Sequence, residues 1–348
     1  MLIKERDLKK VISEAKNKYA LISSVSFEAR SMGAANELRR LSVDVHYHFI
    51  FDYPTIAEPV DEDKKIRNDQ RKFFENCFDV KPKQKFVKVS PISLTNIVRE
   101  MEGIFLECKG CQLFVDISCF SGIHLIAMAT AIFKTNIDFT KIHFLYSTPN
   151  SYYFDSTARF ICRDVIHVPI GKPRHLTHEG HAIGVVFPGH EPERLAIALE
   201  ELEPSDGMIF LSRTIDRPDF LCSSFQINEY VIKRLRSLYG GDYESTDLVL
   251  GKGWKCEVID LYDASKLSYF VDSLTVQARK SEAPIILYPF GPKVHTLIVA
   301  LKMAYQNDID TWAIYPVPNR FHVRSTGGVD KTTCFSVFRK NQDGRISD

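Results

Sequence analysis

The sequence lacks the features that mark membrane-spanning and strongly charged proteins. It contains no run of about 18 apolar residues, the length that an α-helix needs to cross a bilayer core. Neither sign of charge dominates, because 45 Lys and Arg residues face 44 Asp and Glu residues. That balance disfavours a general nucleic-acid scaffold, although a local basic pocket is still allowed. We therefore expect no membrane association.

We also expect neither a secretion signal nor a metal site. Residues 1–17 are charged and are predicted to form a helix rather than an apolar leader. Eight cysteines are scattered through apolar runs, as reduced thiols are in cytosolic proteins. Cys108 and Cys111 form a CxxC, but no second CxxC or paired His stands at zinc-site spacing. We expect a cytoplasmic protein without a bound metal or cofactor.

What the chain does contain is a repeat. Residues 20–40 and 182–203 each hold an apolar strand followed by Glu, Arg, Ala and Leu in the same order. The matched pairs are Glu28 and Glu191, Arg30 and Arg194, Ala34 and Ala198, and Leu38 and Leu202. Four-residue steps place Arg, Ala and Leu along one helix face, as in a helix that packs on a sheet.

The ends of the two halves match more closely. Residues 115–150 and 286–319 both contain an apolar strand, a turn with Phe, Gly and His, a long apolar helix and a final Tyr-x-x-Pro-Asn. The shared His and Tyr residues are His124, Tyr146, His295 and Tyr315. Two similar blocks in the same order favour an internal duplication over chance similarity.

Between these blocks, short apolar strands alternate with helices, which is typical of a parallel sheet covered by helices on both faces. The sequence therefore predicts an α/β protein with two tandem, related Rossmann-like parallel-sheet units. The predicted domains are an N-terminal helix at 1–17, a first Rossmann-like half at 18–155, a connector at 156–180, a second half at 181–322, and a C-terminal strand and tail at 323–348.

Candidate site residues follow from this fold. Ligands of an open parallel sheet bind beyond the carboxyl ends of the strands, where helix N-termini expose backbone N–H groups. Polar residues in the predicted loops at those ends are therefore the candidate ligand-binding residues. They are Ser26, Glu28, Arg30, Asp116, Ser118, Ser121, Gly122, Glu191, Arg194, Arg213, Gly291, Lys293 and His295.

The turn at residues 289–296 is the most specific of these candidates. Gly291 and Pro292 precede a helix with Lys293 in its first turn, which offers N–H groups and a charge to a phosphate. A solvated Lys at a helix start is the alternative. The Glu and Arg pairs have two equally weighted interpretations, helix capping with a local ion pair or ligand contact.

His124 and His295 are candidate general acids or bases, since each lies at the start of an apolar helix. A hydrogen-bonded structural His is the favoured interpretation, because no carboxylate or nucleophile is fixed beside either residue in the sequence. Cys119 and Ser121 are weaker candidates as nucleophiles, since no G-x-S-x-G elbow or cysteine-enzyme signature surrounds them.

The second half resembles a known family at residues 257–274 and 285–304. Their order of strand, acidic turn, helix, strand, Gly-x-Lys turn and helix is similar to that of the CRISPR-associated Rossmann-fold (CARF) sensor domains. In that family the turn, usually Gly-Gly-Thr-Lys, helps to bind cyclic oligonucleotides at a two-fold interface. Here the turn is Gly291-Pro292-Lys293.

Two such halves in one chain also resemble the fused arrangement of the SAVED sensors of bacterial anti-phage systems. The resemblance implies a cyclic or linear oligonucleotide, or another nucleotide, as ligand, and a protein partner from a defence operon. Neither a HEPN-like nuclease motif nor a PD-(D/E)xK pattern follows the second half.

Three functions are compatible with these observations. The first is a nucleotide-type anion-binding sensor or partner subunit of a bacterial defence system, with its ligand at the strand ends between the two halves. The second is a phosphodiesterase- or nuclease-type enzyme that uses His124 or His295 with Lys293 and Arg30. The third is a purely structural subunit of a complex. The sequence favours the first, because it supplies anion donors without an assembled catalytic set.

Overall fold

The protein is described by a computed structural model as two compact units. Unit 1 comprises residues 1–158 and 320–348, and unit 2 comprises residues 159–319. The structure describes residues 2–14, 18–52, 61–89, 93–152, 162–171, 181–189, 191–214, 226–233, 253–306, 308–318 and 326–338.

Unit 1 is built on a seven-stranded sheet in the order β1-β15-β6-β5-β2-β3-β4. Its strands are β1 (Leu2–Arg6), β2 (Tyr19–Ser24), β3 (Val45–Phe51), β4 (Lys83–Val87), β5 (Gln112–Asp116), β6 (Ile142–Ser147) and β15 (Thr332–Phe338). Strands β2 to β6 are parallel, whereas β15 runs antiparallel to both β6 and β1. A small second sheet pairs β7 (Ser151–Tyr152) with β14 (Thr326–Gly327).

The helices of unit 1 are α1 (Leu8–Glu14), α2 (Gly33–Arg40), α3 (Asp61–Asn76), α4 (Leu94–Glu107) and α5 (Gly122–Thr135). Short 3₁₀ turns occupy Ala29–Met32 and Phe139–Lys141. Helix α5 is buried over nearly its whole length, which explains its almost continuous apolar sequence. It ends at Asn136, whose φ of 47° is the left-handed conformation that commonly terminates a helix.

Unit 2 is built on a six-stranded sheet in the order β11-β10-β9-β12-β13-β8. Its strands are β8 (Cys162–Ile170), β9 (Ile183–Phe187), β10 (Asp206–Arg213), β11 (Trp254–Asp260), β12 (Ile285–Pro289) and β13 (Thr311–Pro318). All of its neighbours are parallel except β8, which runs antiparallel to β13. Its helices include α6 (Pro192–Glu201), α7 (Ala264–Ser281) and α8 (Lys293–Tyr305).

The sequence pattern explains the layers. The central strands β9 and β12 are buried at every position, as strands covered by helices on both faces must be. Helix α7 begins where the Asp263 side chain accepts a hydrogen bond from the Lys266 N–H at 2.8 Å, a standard N-cap. The predicted α/β class with two Rossmann-like parallel-sheet units is confirmed.

The five parallel strands follow the same order in both units. Numbered by their sequence within each unit, that order is 3-2-1-4-5, with an antiparallel sixth strand beside the fifth. In unit 1 Thr333 of the sixth strand lies opposite Tyr146, and in unit 2 Ile166 lies opposite Tyr315. The two tyrosines are the ones that the repeat had matched. This likeness supports the duplication, which stays an inference.

The sheets include residues that the predicted boundaries placed outside the two halves. The predicted connector, 156–180, contains β8, which completes the sheet of unit 2. The predicted C-terminal segment contains β15, which joins the sheet of unit 1. The predicted N-terminal helix, 1–17, contains β1 as well as the short α1, because β1 pairs with β15. Connector residues 156–161 and 172–180 and the tail after residue 338 lie outside the described residues.

Each unit has its own apolar core. In unit 1 a buried cluster that includes Leu21, Leu38, Ile50 and Phe74 joins β2 and β3 to α2 and the C-terminal part of α3. In unit 2 the corresponding cluster includes Val186, Leu195, Trp254 and Tyr288. Within the described part of the chain, no helix has both the length and the apolar character to cross a membrane.

Candidate functional site

The candidate residues gather at the carboxyl ends of the central strands. In unit 1 the strand order reverses between β2 and β5, and in unit 2 it reverses between β9 and β12. Crevices at such reversals are the usual ligand sites of open α/β sheets. Every predicted ligand-binding residue except Arg213 lies at the end of one of these four strands, or in the loop or first helical turn that follows it. Arg213 ends β10.

The Glu28 and Arg30 pair of unit 1 is buried and internally bonded. Arg30 Nε lies 2.5 Å from Glu28 Oε2, and its side chain is only 7% exposed. Arg30 Nη1 lies 3.5 Å from the Tyr146 hydroxyl, and the Thr326 hydroxyl donates to Glu28. Glu28 makes no side-chain cap to the 3₁₀ turn that follows it. The pair therefore ties the loop after β2 to β6 and β14.

The Glu191 and Arg194 pair of unit 2 has the same design. Arg194 Nη1 lies 2.8 Å from Glu191 Oε2, and Arg194 Nε donates to the Pro316 carbonyl at 2.9 Å. The guanidinium also lies 4.2 Å from the ring centre of Tyr315 and 5.2 Å from that of Phe290, within cation–π range. Glu191 makes no side-chain cap to α6. In both units the buried arginine therefore connects the loop after the first parallel strand to the fifth parallel strand.

A short chain of hydrogen bonds joins Asp116, at the end of β5, to Ser118 and to the backbone of Ser147. Asp116 Oδ1 accepts hydrogen bonds from the Ser118 N–H at 3.0 Å and from the Ser118 hydroxyl at 2.5 Å. The Ser118 oxygen in turn accepts from the Ser147 N–H at 2.8 Å. Burial raises the pKa of Asp116 to about 7, against the lowering effect of these Ser118 bonds. The carboxyl group is thus poised to change charge near neutral pH.

The two candidate catalytic histidines are buried. His124 is 1% exposed, with Nδ1 at 2.6 Å from the Ser121 hydroxyl. His295 is fully buried, with Nδ1 at 3.1 Å from the Ser212 hydroxyl and Nε2 at 3.3 Å from the Asp260 carbonyl. Burial lowers the pKa of His295 to about 4, so this ring is neutral at pH 7. These placements favour structural roles for both residues.

In unit 2, the loop after β9 and the loop after β12 approach each other closely through their backbones. The Phe290 N–H donates to the Phe187 carbonyl at 3.1 Å. A Cβ on Gly291 would lie 2.8 Å from the Cβ of Phe187, and one on Gly189 would overlap the Phe290 carbonyl. Glycine is therefore required for this close approach. The Gly291 turn predicted from the sequence thus has a packing role as well.

Two long helices begin at these crevices without a side-chain cap from their N-cap residue. Helix α8 follows Pro292 and starts with the half-buried Lys293. Helix α5 follows Ser121, whose hydroxyl bonds His124 instead of a backbone N–H. The first N–H groups of an α-helix have no partner within the helix and attract anions. Lys293 adds a full positive charge at one of these ends.

Sequence reasoning missed a second group of polar residues in unit 1. Asp52 follows β3, and both Arg67 and Arg71 of α3 bond its carboxylate. Gln70, between them, accepts from the Ser26 N–H at 2.8 Å and donates to the Glu28 carbonyl at 3.0 Å. The signal available in the sequence was two arginines four residues apart, which share one helix face. Their shared carboxylate partner is far away in the chain.

The CxxC is buried and adjoins the start of β5. Burial raises the pKa of Cys108 to about 12 and also raises that of Cys111. No group of three His, Cys, Asp or Glu residues in the described ranges is arranged to hold a metal ion. Cys119, near the crevice of unit 1, also has its pKa raised by burial, which disfavours a reactive thiolate.

We expect the folded protein to contain no zinc at Cys108 and Cys111. Two buried thiols with raised pKa values make a poor site, because zinc binds thiolates and takes four ligands. The measurement is elemental analysis after a chelator wash. Zinc at one equivalent per chain that disappears in a Cys108→Ser variant would contradict this expectation.

Comparison with known proteins assigns no family to the chain. No family model matches the chain, and no curated protein matches it. Among solved structures, one similar chain is Can2 from Sulfobacillus thermosulfidooxidans in complex with cyclic tetra-adenylate. It is 11% identical, with a TM-score of 0.27, and the match covers 84% of this chain and 95% of that one.

A second similar structure is an N-terminal ketoreductase from a macrolactin assembly line, at 10% identity and a TM-score of 0.17. That match covers 81% of this chain and 58% of the other. Likeness at this level carries no functional argument. The class of the protein therefore rests on its own two sheets, and its function on the residues at their carboxyl edges.

Proposed function

We propose that this protein is a nucleotide-type anion-binding sensor or partner subunit of a bacterial defence system. One observation carries the proposal. In each unit, the polar loops predicted from the sequence follow the two strands at which the strand order reverses. This is the position where α/β sheets bind nucleotides. The resemblance of the second half to CARF domains supports the link to defence.

The chemistry of the loops supports an anionic ligand. Helices α5 and α8 start at the crevices without a side-chain cap from the preceding residue, and Lys293 lies at the start of α8. The buried Arg30 and Arg194 hold the neighbouring loops in place. The burial of His124 and His295 does not favour the enzyme alternative. Binding, rather than turnover, is the function that this arrangement supports.

Replacing Lys293 by Ala is expected to weaken nucleotide binding by about tenfold or more, since a hydrogen bond to a charged group contributes about 1.5–3 kcal/mol. The free energy of unfolding should change by less than about 1 kcal/mol, because the Lys293 side chain is half-buried and lies outside the core. The measurement is titration calorimetry with cyclic and linear oligoadenylates, alongside thermal unfolding.

Lys280→Ala is the matched control. Lys280 is exposed in the last turn of α7, just before β12, and so lies at the amino ends of the strands. Its loss should leave binding unchanged. Absence of binding to the unmodified protein would sink the proposal, and a Lys293→Ala protein that loses stability instead of affinity would make Lys293 structural.

A further inference from the structure

The ends of the second strands show which kind of nucleotide each unit fits. In the strand order 3-2-1-4-5, the second strand is β3 in unit 1 and β10 in unit 2. Asp52 directly follows β3, and Arg213 ends β10. In Rossmann-type sites an acidic residue at this position bonds the hydroxyls of a ribose, whereas an arginine accommodates a phosphate on the ribose.

Asp52 is not available for ribose hydroxyls. Its Oδ1 atom lies 2.5 Å from Arg67 Nη2 and 3.1 Å from Arg71 Nη2, and its Oδ2 atom lies 2.8 Å from Arg71 Nε. The Asp52 side chain is only 8% exposed. Two guanidinium groups therefore occupy one carboxylate, and the three side chains together carry one net positive charge. Where a ribose-binding site would have an unpaired acidic residue, unit 1 therefore has a cationic cluster of Asp52, Arg67 and Arg71.

The cluster is directed at the candidate site of unit 1. Arg67 is 7% exposed and lies 5.6 Å from the ring centre of Phe27, in the loop after β2. Gln70 bonds two backbone groups of the same loop, at Ser26 and Glu28. Arg71 is 35% exposed and is the member of the cluster that a ligand can reach. The arginine face of α3 is thus fixed against the loop after the first parallel strand.

Unit 2 places a positive charge at the same topological position by a different route. Arg213 is the last residue of β10 and is exposed. Its register partner is Asp260, at the end of β11. Neither unit therefore offers an uncompensated carboxylate at the end of its second strand, and both offer a guanidinium.

We propose that both crevices select a nucleotide whose ribose carries a phosphate on its 2′ or 3′ oxygen, with Arg71 and Arg213 as the residues that determine this preference. The inference rests on the proposed nucleotide-binding function and names its ligand class. A phosphodiester linkage and a terminal phosphomonoester share this chemistry. A dinucleotide with free ribose hydroxyls does not fit.

The test is titration calorimetry of the full-length protein with three ligands. Adenosine 5′-monophosphate has free ribose hydroxyls, adenosine 3′,5′-bisphosphate adds a phosphomonoester, and cyclic tetra-adenylate contains only phosphodiesters. We expect at least one of the two ribose-phosphorylated ligands to bind about tenfold or more tightly than the monophosphate. The tighter of the two identifies the source of the phosphate.

Variants locate the preference. Arg71→Gln and Arg213→Ala together are expected to reduce it to less than about threefold, whereas the exposed Arg99→Ala, on α4, should leave it unchanged. Arg71→Gln could affect folding, because Arg71 bonds Asp52. The single variant Arg213→Ala avoids that risk and should remove the preference at the site of unit 2 only. Equal affinity of the unmodified protein for the ligands, or a preference that survives both substitutions, would overturn this inference alone. Binding of none of the ligands would overturn it together with the proposed function.

Discussion

Replacing Glu28 by Ala is expected to lower the free energy of unfolding by about 3 kcal/mol, because it leaves the buried Arg30 guanidinium without its carboxylate. Arg30 and Glu28 are 7% and 16% exposed, and the Thr326 hydroxyl would lose its acceptor as well. Water cannot readily replace the lost partner at such a site. The measurement is chemical denaturation followed by far-ultraviolet circular dichroism.

The equivalent change in unit 2, Glu191→Ala, is expected to cost about 1 kcal/mol. Glu191 is 33% exposed, and Arg194 keeps the Pro316 carbonyl and the faces of Tyr315 and Phe290. Unfolding of this variant is followed by tryptophan fluorescence, since both tryptophans of the chain lie in unit 2. Glu37→Ala, which breaks the surface pair with Arg40, is the control and should have little effect. A larger cost for Glu191→Ala than for Glu28→Ala would contradict this assignment.

The sequence predicts the parallel part of each sheet well because that part is locally encoded. Strands such as β5 and β12 are short apolar runs, and the long apolar helices that follow them are buried on nearly every side. The repeat also matched Arg30 with Arg194 and Tyr146 with Tyr315, and the structure brings each arginine to its tyrosine. Equivalent residues of the repeat therefore make the same arginine–tyrosine contact within each unit.

The sequence could not predict which sheet each sixth strand joins, nor the cluster around Asp52. Strand β8 follows the first half of the chain but completes the sheet of unit 2, while β15 follows the second half but joins unit 1. A local pattern identifies a strand but not its partner, and β8 is an edge strand with mixed exposure. The Asp52 cluster likewise depends on side chains from β3 and α3 meeting in space.

Asp116 is expected to make stability fall as the pH rises from about 4 to about 7. The ordinary pKa of this carboxyl group is 3.8, and burial raises it to about 7 in the folded protein. Between these values the folded state keeps a proton that the unfolded state has lost, so raising the pH favours unfolding. The contribution is fully present below pH 4 and is lost by about pH 7, at up to about 1.4 kcal/mol for each pH unit.

Replacing Asp116 by Asn removes this titration while keeping the size of the side chain, so the unmodified protein should lose stability relative to the variant as the pH rises from 5 to 7.5. The comparison is needed because His48, His143 and His295 act in the opposite direction. Burial lowers the pKa of His48 to about 3 and those of the other two to about 4, so they favour folding as the pH rises toward 6.5. Their contribution is common to both proteins and cancels in the difference.

Asp44→Asn, at a side chain 61% exposed, is the control for the lost charge and should not change the pH dependence. The measurement is urea denaturation across this range. Parallel stability curves for the unmodified and Asp116→Asn proteins would show that Asp116 is ionised when folded and that the hydrogen bonds from Ser118 stabilise its charge.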